Sequence, residues 1–260
     1  MSPRLRPGLV VARRDDRHLQ LGLEPPHRVI LPDVAEIRRL LDALAHGRPV
    51  SLPTAGVASG VVADALARIE RADLLDPGTT TSTGGSGTTV ALDGPRALVG
   101  AATPLLRAAG VQLAEDGGVR LLLAHTALPR DRADPLVRDG IPHLVAAVTP
   151  WGWEVGPFVV PGETACLRCV DAAATERDPR HSVVLDQLTR PGVPPSGSAA
   201  LQALALGWVV RDLLAYERGA RPTTWSATVR LLETPGEEPV SERRWLRHPH
   251  CGCAWDALTG

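Results

Sequence analysis

The 260 residues carry a formal net charge of −1 and are 44% hydrophobic, an ordinary globular composition with room for two domains. Nothing in the even charge balance points to nucleic acid as the main partner, and no apolar run reaches the ~18 residues that a membrane span needs. The N-terminus, Met1-Ser-Pro-Arg-Leu-Arg-Pro, leads into no apolar signal core, so a cytoplasmic chain is expected.

All basic side-chain charge apart from histidine comes from arginine, because the sequence contains no lysine. GC-rich codon usage accounts for this. It also excludes any mechanism that needs a lysine on a phosphate or as a nucleophile.

In chain order, Leu9-Val-Val-Ala-Arg and His18-Leu-Gln-Leu-Gly-Leu alternate loosely around the turn-like Arg14-Asp15-Asp16 and read as a hairpin. His27-Arg-Val-Ile-Leu-Pro reads as a third strand. A helix is predicted over Val34–His46 with Asp33 as N-cap, because Ile37, Leu40, Leu41 and Leu44 recur at helical spacing and Gly47 follows. A second helical region over Thr54–Leu75 places Val61, Val62, Leu66 and Ile69 on one face, broken in two near Gly56 and Gly60. Three strands followed by helices over residues 5–76 make a small winged-helix (β3α3) pattern. The expected domain is 1–77, with a flexible Gly/Ser/Thr linker at 78–89 and a second domain at 90–260.

The second domain alternates strand and helix. Strands are predicted at Val90–Leu92, Val111–Leu113, Val119–Ala124 and Ile141–Val148, with helices at Ala97–Ala109 and Leu128–Asp139. Alternation of this kind implies an α/β, Rossmann-like domain with a parallel sheet covered on both faces. Trp153–Val160 leads out to the first cysteine pair. A long helix over Ser198–Glu217 and a late strand at Thr228–Glu233 follow. Trp151 and Trp153 flank Gly152, either packed inside or forming a docking patch.

Cys166-Leu-Arg-Cys169 and Cys251-Gly-Cys253 are the chemically specific motif. In a reducing compartment two tight pairs argue for a metal rather than for disulfides. Four thiolates fill a tetrahedral Zn²⁺ shell and leave no position for water, so the zinc should be structural. His248 and His250 stand close enough in sequence to replace a cysteine.

Pro161-Gly-Glu-Thr-Ala-Cys-Leu-Arg-Cys169, Gly140-Ile-Pro-His-Leu-Val, Pro195-Ser-Gly-Ser-Ala-Ala-Leu-Gln and His248-Pro-His-Cys-Gly-Cys resemble, in order, elements of the ThiF-like, ubiquitin-activating superfamily. The resemblance covers residues 88–256. The superfamily's ATP-binding glycine turn is degenerate here: Asp93-Gly-Pro-Arg-Ala-Leu-Val-Gly100 keeps Gly94, but Pro95 has no N–H for a phosphate and Arg96 crowds the approach. Glu115 or Asp116 would have to hold the ribose, and the family's ATP lysine has no counterpart. Bound ATP and adenylation are therefore not expected.

A winged-helix module joined to such a domain resembles the ocin-ThiF-like leader-peptide-binding proteins. These act in the biosynthesis of azol(in)e-bearing ribosomal peptides (RiPPs), thiopeptides included. The resemblance implies that residues 1–77 are a RiPP recognition element. A precursor leader peptide would add as a strand to Arg28, Val29, Ile30 and Leu31, clamped by Val62, Leu66 and Ile69. A separate YcaO-type cyclodehydratase would be the partner, and a homodimer is possible for the ThiF-like part. Residues 1–31 hold six arginines against three acids, which suits an acidic leader and equally a solvated face. Two other readings stay open. One is an active ThiF-like adenylyltransferase. The other is a DNA-binding regulator using Ala63–Ala72, where Asp64, Glu70 and Asp73 offset Arg68 and Arg71.

Overall fold

A computed structural model describes residues 2–50, 57–76, 88–189, 194–195, 197–233, 236 and 238–253. The chain forms two compact units, Met1–Gly85 and Ser86–Gly260. The predicted linker falls almost wholly outside the described residues.

In the first unit, strands β1 (Val11–Arg13), β2 (His18–Leu21) and β3 (Val29–Pro32) form an antiparallel sheet in the order β1-β2-β3. Helices α1 (Ala35–His46) and α2 (Val57–Arg71) complete the unit. Alternation drives the sheet: Leu19, Leu21, Val29 and Leu31 face inward and meet Ile37, Leu40, Leu41 and Leu44 of α1 and Val62, Ala65 and Ile69 of α2. This apolar core closes the unit. Asp33 is not the N-cap of α1. Val34 takes that position, and the Asp33 carboxylate instead forms a two-pronged pair with Arg38, at 2.5 and 2.8 Å. That guanidinium holds the Asp33 carboxyl below its usual range. α2 also runs unbroken through Gly60, because no side chain or backbone crowds that position and the buried stripe follows it in Val62, Ala65 and Ile69. Among the described residues the expected β3α3 pattern therefore has two helices, and Gly56 is not one of the described residues.

The second unit is built on a six-stranded sheet in the order β4-β5-β6-β7-β8-β9: Val90–Asp93, Val119–His125, His143–Thr149, Gly152–Val159, Ala227–Leu232 and Val240–Arg244. The first three strands are parallel and the rest antiparallel, so the sheet is mixed rather than parallel throughout. The change comes at a two-residue hairpin, Pro150-Trp151. Gly152 closes it at φ 150°, and a Cβ there would strike the Leu231 carbonyl. Val111–Leu113 lies where a strand is expected, outside β4, but it makes one bridge, Val90 to Leu113, and is not a strand.

Helix α3 (Arg96–Ala108) and α7 (Ala199–Glu217) cover one face. Leu98, Ala102, Leu106, Leu201, Ala205, Leu206 and Val209 pack there on Leu121, Leu123, Leu144, Val155 and Val229. Trp153 is part of this core at 1% exposure, whereas Trp151 is 62% exposed, so the two tryptophans part company. α7 starts on a Ser198 N-cap, whose Oγ accepts from the Ala200 and Leu201 amides. It is long and apolar enough to cross a membrane, yet its buried stripe is packed into this core. Within α7 the fully buried Asp212 accepts from the Thr223 and Thr224 amides and the Thr224 hydroxyl, at 2.9, 2.8 and 2.6 Å, and so fixes the loop that enters β8. The other face carries α4 (Arg130–Arg138), α5 (Leu167–Thr175) and α6 (His181–Leu188).

Candidate metal centre and open strand edge

α5 begins at Cys166, which is its N-cap, so the first cysteine pair sits on the first turn of a helix. The turn before it, Pro161–Glu163, is held by the Val160 amide on Thr164 Oγ1 at 2.7 Å. The chain end returns Cys251 and Cys253 to the same place. The four Sγ atoms lie within 4.8 Å of one another: Cys166 is 3.8 Å from Cys169 and 3.6 Å from Cys251, and Cys169 is 3.3 Å from Cys253. A tetrahedral zinc at ~2.3 Å from each sulfur requires S···S separations of about 3.8 Å. The residues fit that ion.

The electrostatics agree. Hydrogen bonds from Cys166, the His248 amide and Cys253 pull the Cys169 thiol down to about 4, while Cys166 is pushed up by giving its proton to Cys169 and by burial. Cys253 is pushed up to about 12, by burial first. Four thiols so close cannot share several negative charges without a cation among them. The His248 amide reaches Cys169 Sγ at 3.2 Å. The His248 ring is engaged elsewhere, with Nε2 2.9 Å from Glu176 and Nδ1 accepting from the His250 amide. The group that could hold a metal ion is Cys166, Cys169, Cys251 and Cys253, and neither histidine is part of that cluster. Cys166, Cys169 and Cys251 are buried, which suits a closed site.

The Asp93–Gly100 turn uses its glycine for packing. A Cβ on Gly94 would come within 2.6 Å of Leu123 Cβ, so this glycine serves the approach of β4 to β5. Pro95 caps α3 without a side-chain bond. Arg132 spans the mouth, with Nη2 2.8 Å and Nε 3.1 Å from Asp93 Oδ2. Glu115 and Asp116 lie exposed on a loop. A polyphosphate placed here would meet a carboxylate and a proline instead of free amides.

A cleft of about 770 Å³ lies over the antiparallel half of the sheet. Its small-residue floor includes Ala147 and Gly156, and its wall includes Glu154, Arg230 and Arg243. Arg130 and Asp171 at its rim form a two-pronged pair at 2.7 Å that ties α4 to α5. Sequence reasoning missed this cleft because α5, α6 and β9 carry no clear periodicity.

In the first unit, the predicted peptide contacts divide. Val29, Leu31, Val62 and Ile69 are core residues, since inward parity places them against α1 and α2. Arg28 is exposed, and Ile30 and Leu66 are half-buried. Among the described residues β3 pairs with β2 alone and ends the sheet. The Asp33 amide donates to Arg17 O at 2.7 Å, one step beyond the His18–Pro32 pair. Antiparallel pairs alternate between bonded and non-bonded, so Leu31 and Val29 face β2, while Ile30 and Pro32 turn their backbone outward. The Pro32 carbonyl is taken by the Val34 amide at 3.0 Å, and proline has no N–H. Of the four strand residues, Ile30 alone presents both a donor and an acceptor to the open edge.

No family model and no curated protein matches the sequence. Solved structures do. The heterocyclase TruD aligns at a TM-score of 0.72 and 18% identity over 97% of this chain and 42% of its own. A heterocyclase in complex with substrate and cofactor aligns at 0.67 and 16%, over 96% and 39%. The microcin C7 biosynthetic enzyme MccB in complex with N-formylated MccA aligns at 0.62 and 11%, over 97% and 99%. The chain thus spans about two fifths of the heterocyclases it matches and nearly the full length of MccB, and its fold is the α/β fold that these biosynthetic enzymes share.

Proposed function

We propose that this protein binds the leader of a ribosomally made precursor peptide along the open edge of β3 and delivers it to a YcaO-type cyclodehydratase, without catalysing a step itself. The observation that carries the reading is the edge: a short, uncharged strand whose Ile30 offers an outward N–H and C=O. Main-chain bonds there give generic affinity, and Arg28, the Ile30 side chain and Leu66 give side-chain contact. Val29, Leu31, Val62 and Ile69 act beneath them by fixing the strand against α1 and α2. The likeness to two heterocyclases and to an enzyme solved with MccA supports a role in peptide modification. In the heterocyclases this fold accompanies a longer chain, and the reading assigns the corresponding chemistry to the YcaO-type partner. Azoline or thiopeptide-type products follow from that assignment. The zinc at the four cysteines is structural, and residues 1–77 and 90–260 act as a recognition module and a scaffold, a homodimer being one arrangement of the scaffold.

Labelled leader from a precursor encoded beside the gene, titrated by fluorescence anisotropy, should bind at micromolar concentration or tighter. Adding the protein to that precursor, the cyclodehydratase and ATP should accelerate heterocycle formation; equal rates without it would remove the delivery role.

The second reading, an ATP-dependent adenylyltransferase, has one observation in its favour: the alignment with MccB covers nearly all of both chains. The Gly94 packing and the Asp93–Arg132 pair oppose it. Peptide-dependent ATP–pyrophosphate exchange would establish it in place of the adaptor.

A further inference from the structure

The outward carbonyl of β3 is already engaged. Arg68 Nη2, from α2, donates to Ile30 O at 2.7 Å. A strand adding to β3 needs that acceptor, because the Pro32 carbonyl is used by Val34. Arg68 must therefore share the carbonyl or leave it. It is lightly held. Its other partner is Asp64, four residues earlier on the same helix, 3.7 Å from Nη1 and 65% exposed, and the Arg68 side chain is itself 39% exposed.

A displaced guanidinium keeps its charge and seeks an acceptor. Two further arginines stand on or beside the same two elements. Arg71 lies on the same helix with Nε on Ala67 O, and Arg28 precedes β3. β3 carries no carboxylate, and on β2 the Gln20 amide is tied to Gly22 O and to Arg14. Among the described residues Asp64 is the acid within ion-pair distance of it.

We infer that Arg68 is a carboxylate-recognition subsite: an Asp or Glu side chain of the incoming peptide takes the guanidinium as the peptide's backbone N–H takes the Ile30 carbonyl. This rests on the strand-addition reading. The exchange replaces a carbonyl by a charge-assisted, two-pronged partner. It admits acidic segments and leaves the carbonyl closed to segments with nothing to offer Arg68. The partner it fits is an extended peptide with one acidic side chain next to the residue that pairs with Ile30.

The test is a double-mutant cycle on the full chain. The probe is the labelled leader segment and a set of variants in which each Asp or Glu is replaced singly by Asn or Gln. Wild type should lose about tenfold or more in affinity at one acidic position. Arg68→Gln should lose as much with the parent peptide, and the combination should lose no more than either alone. Arg68→Lys, which keeps the charge but not the fork, should recover part of the loss. Uniform weakening of every peptide by Arg68→Gln would overturn the subsite and leave Arg68 a tether of α2. Tighter binding by Arg68→Gln would overturn it too, leaving Arg68 a mere competitor for the carbonyl. If parent binding is insensitive to Ile30→Pro, the strand-addition reading falls and takes the subsite with it. Binding that is lost on Ile30→Pro but shows no coupling to any acid removes the subsite alone.

Discussion

Among the described residues β3 and β9 each end a sheet, and these two edges are built oppositely. β9 reads Val-Ser-Glu-Arg-Arg. The Trp245 amide on Ser226 O and the Leu232 amide on Pro239 O set its parity, so Val240, Glu242 and Arg244 turn their backbone outward. An incoming strand would have to lie against two charged residues, a common protection of an exposed edge. β3 reads Val-Ile-Leu-Pro, without a charge of its own, and is guarded by one arginine from another element. A covalent feature of the edge cannot be withdrawn, whereas a side chain from a neighbouring helix can. The same opposition runs through the two units. The first is closed by an apolar core, and the second adds a metal-ready cysteine cluster and buried charged groups to its core.

The largest expected effect separates the units outright. Removing zinc with a strong chelator should abolish the cooperative melting of residues 86–260, because about 10–16 kcal/mol of apparent binding energy in such sites is folding energy. Leader binding by the first unit should survive. Calorimetry with metal analysis checks this, and an unmoved melting curve would contradict the metal assignment. Next comes the buried carboxylate of α7. Asp212→Ala should cost the second unit about 3 kcal/mol, read by denaturant titration, since the Thr223 and Thr224 amides, the Thr224 hydroxyl and Arg211 lose a buried acceptor. Ser198→Ala, which removes the cap of the same helix, should cost about 1 kcal/mol. The smallest effect is on pH. Burial lowers the His143 pKa below its ordinary 6.5, so the fold favours the neutral ring. The stability it contributes is complete above pH 6.5 and falls as pH drops towards the folded value. His143→Gln should flatten the melting temperature of the second unit against pH between 6.5 and 5; an unchanged slope would assign the acid sensitivity to the cysteines.

Much of the first unit was legible because its signals are local. Alternation over Leu19–Leu21 and Val29–Leu31 and the spacing of Ile37, Leu40, Leu41 and Leu44 each specify one element with one buried face. Gly60 misled because a glycine's helix cost of about 1 kcal/mol is small against the apolar stripe that continues past it. In the second unit the cysteine spacing pointed to the cluster that the structure brings together, and the His248 ring is engaged with Glu176 and the His250 amide instead. The mixed sheet was not legible. β6 and β7 are both near-continuous apolar runs, and strand direction depends on the two-residue turn at Pro150-Trp151 rather than on either run. β9 was missed because a charged edge strand has no period to read. The Arg68 contact spans 38 residues and leaves no mark in the sequence.

The most direct test of the open-edge account is a matched pair of prolines. Ile30→Pro removes the outward N–H of β3 and Glu242→Pro the outward N–H of β9; proline is tolerated at such edge positions, so both should fold. Titrated with the labelled leader, Ile30→Pro should abolish binding while Glu242→Pro binds as wild type does. Undiminished binding by a folded Ile30→Pro variant would contradict the account.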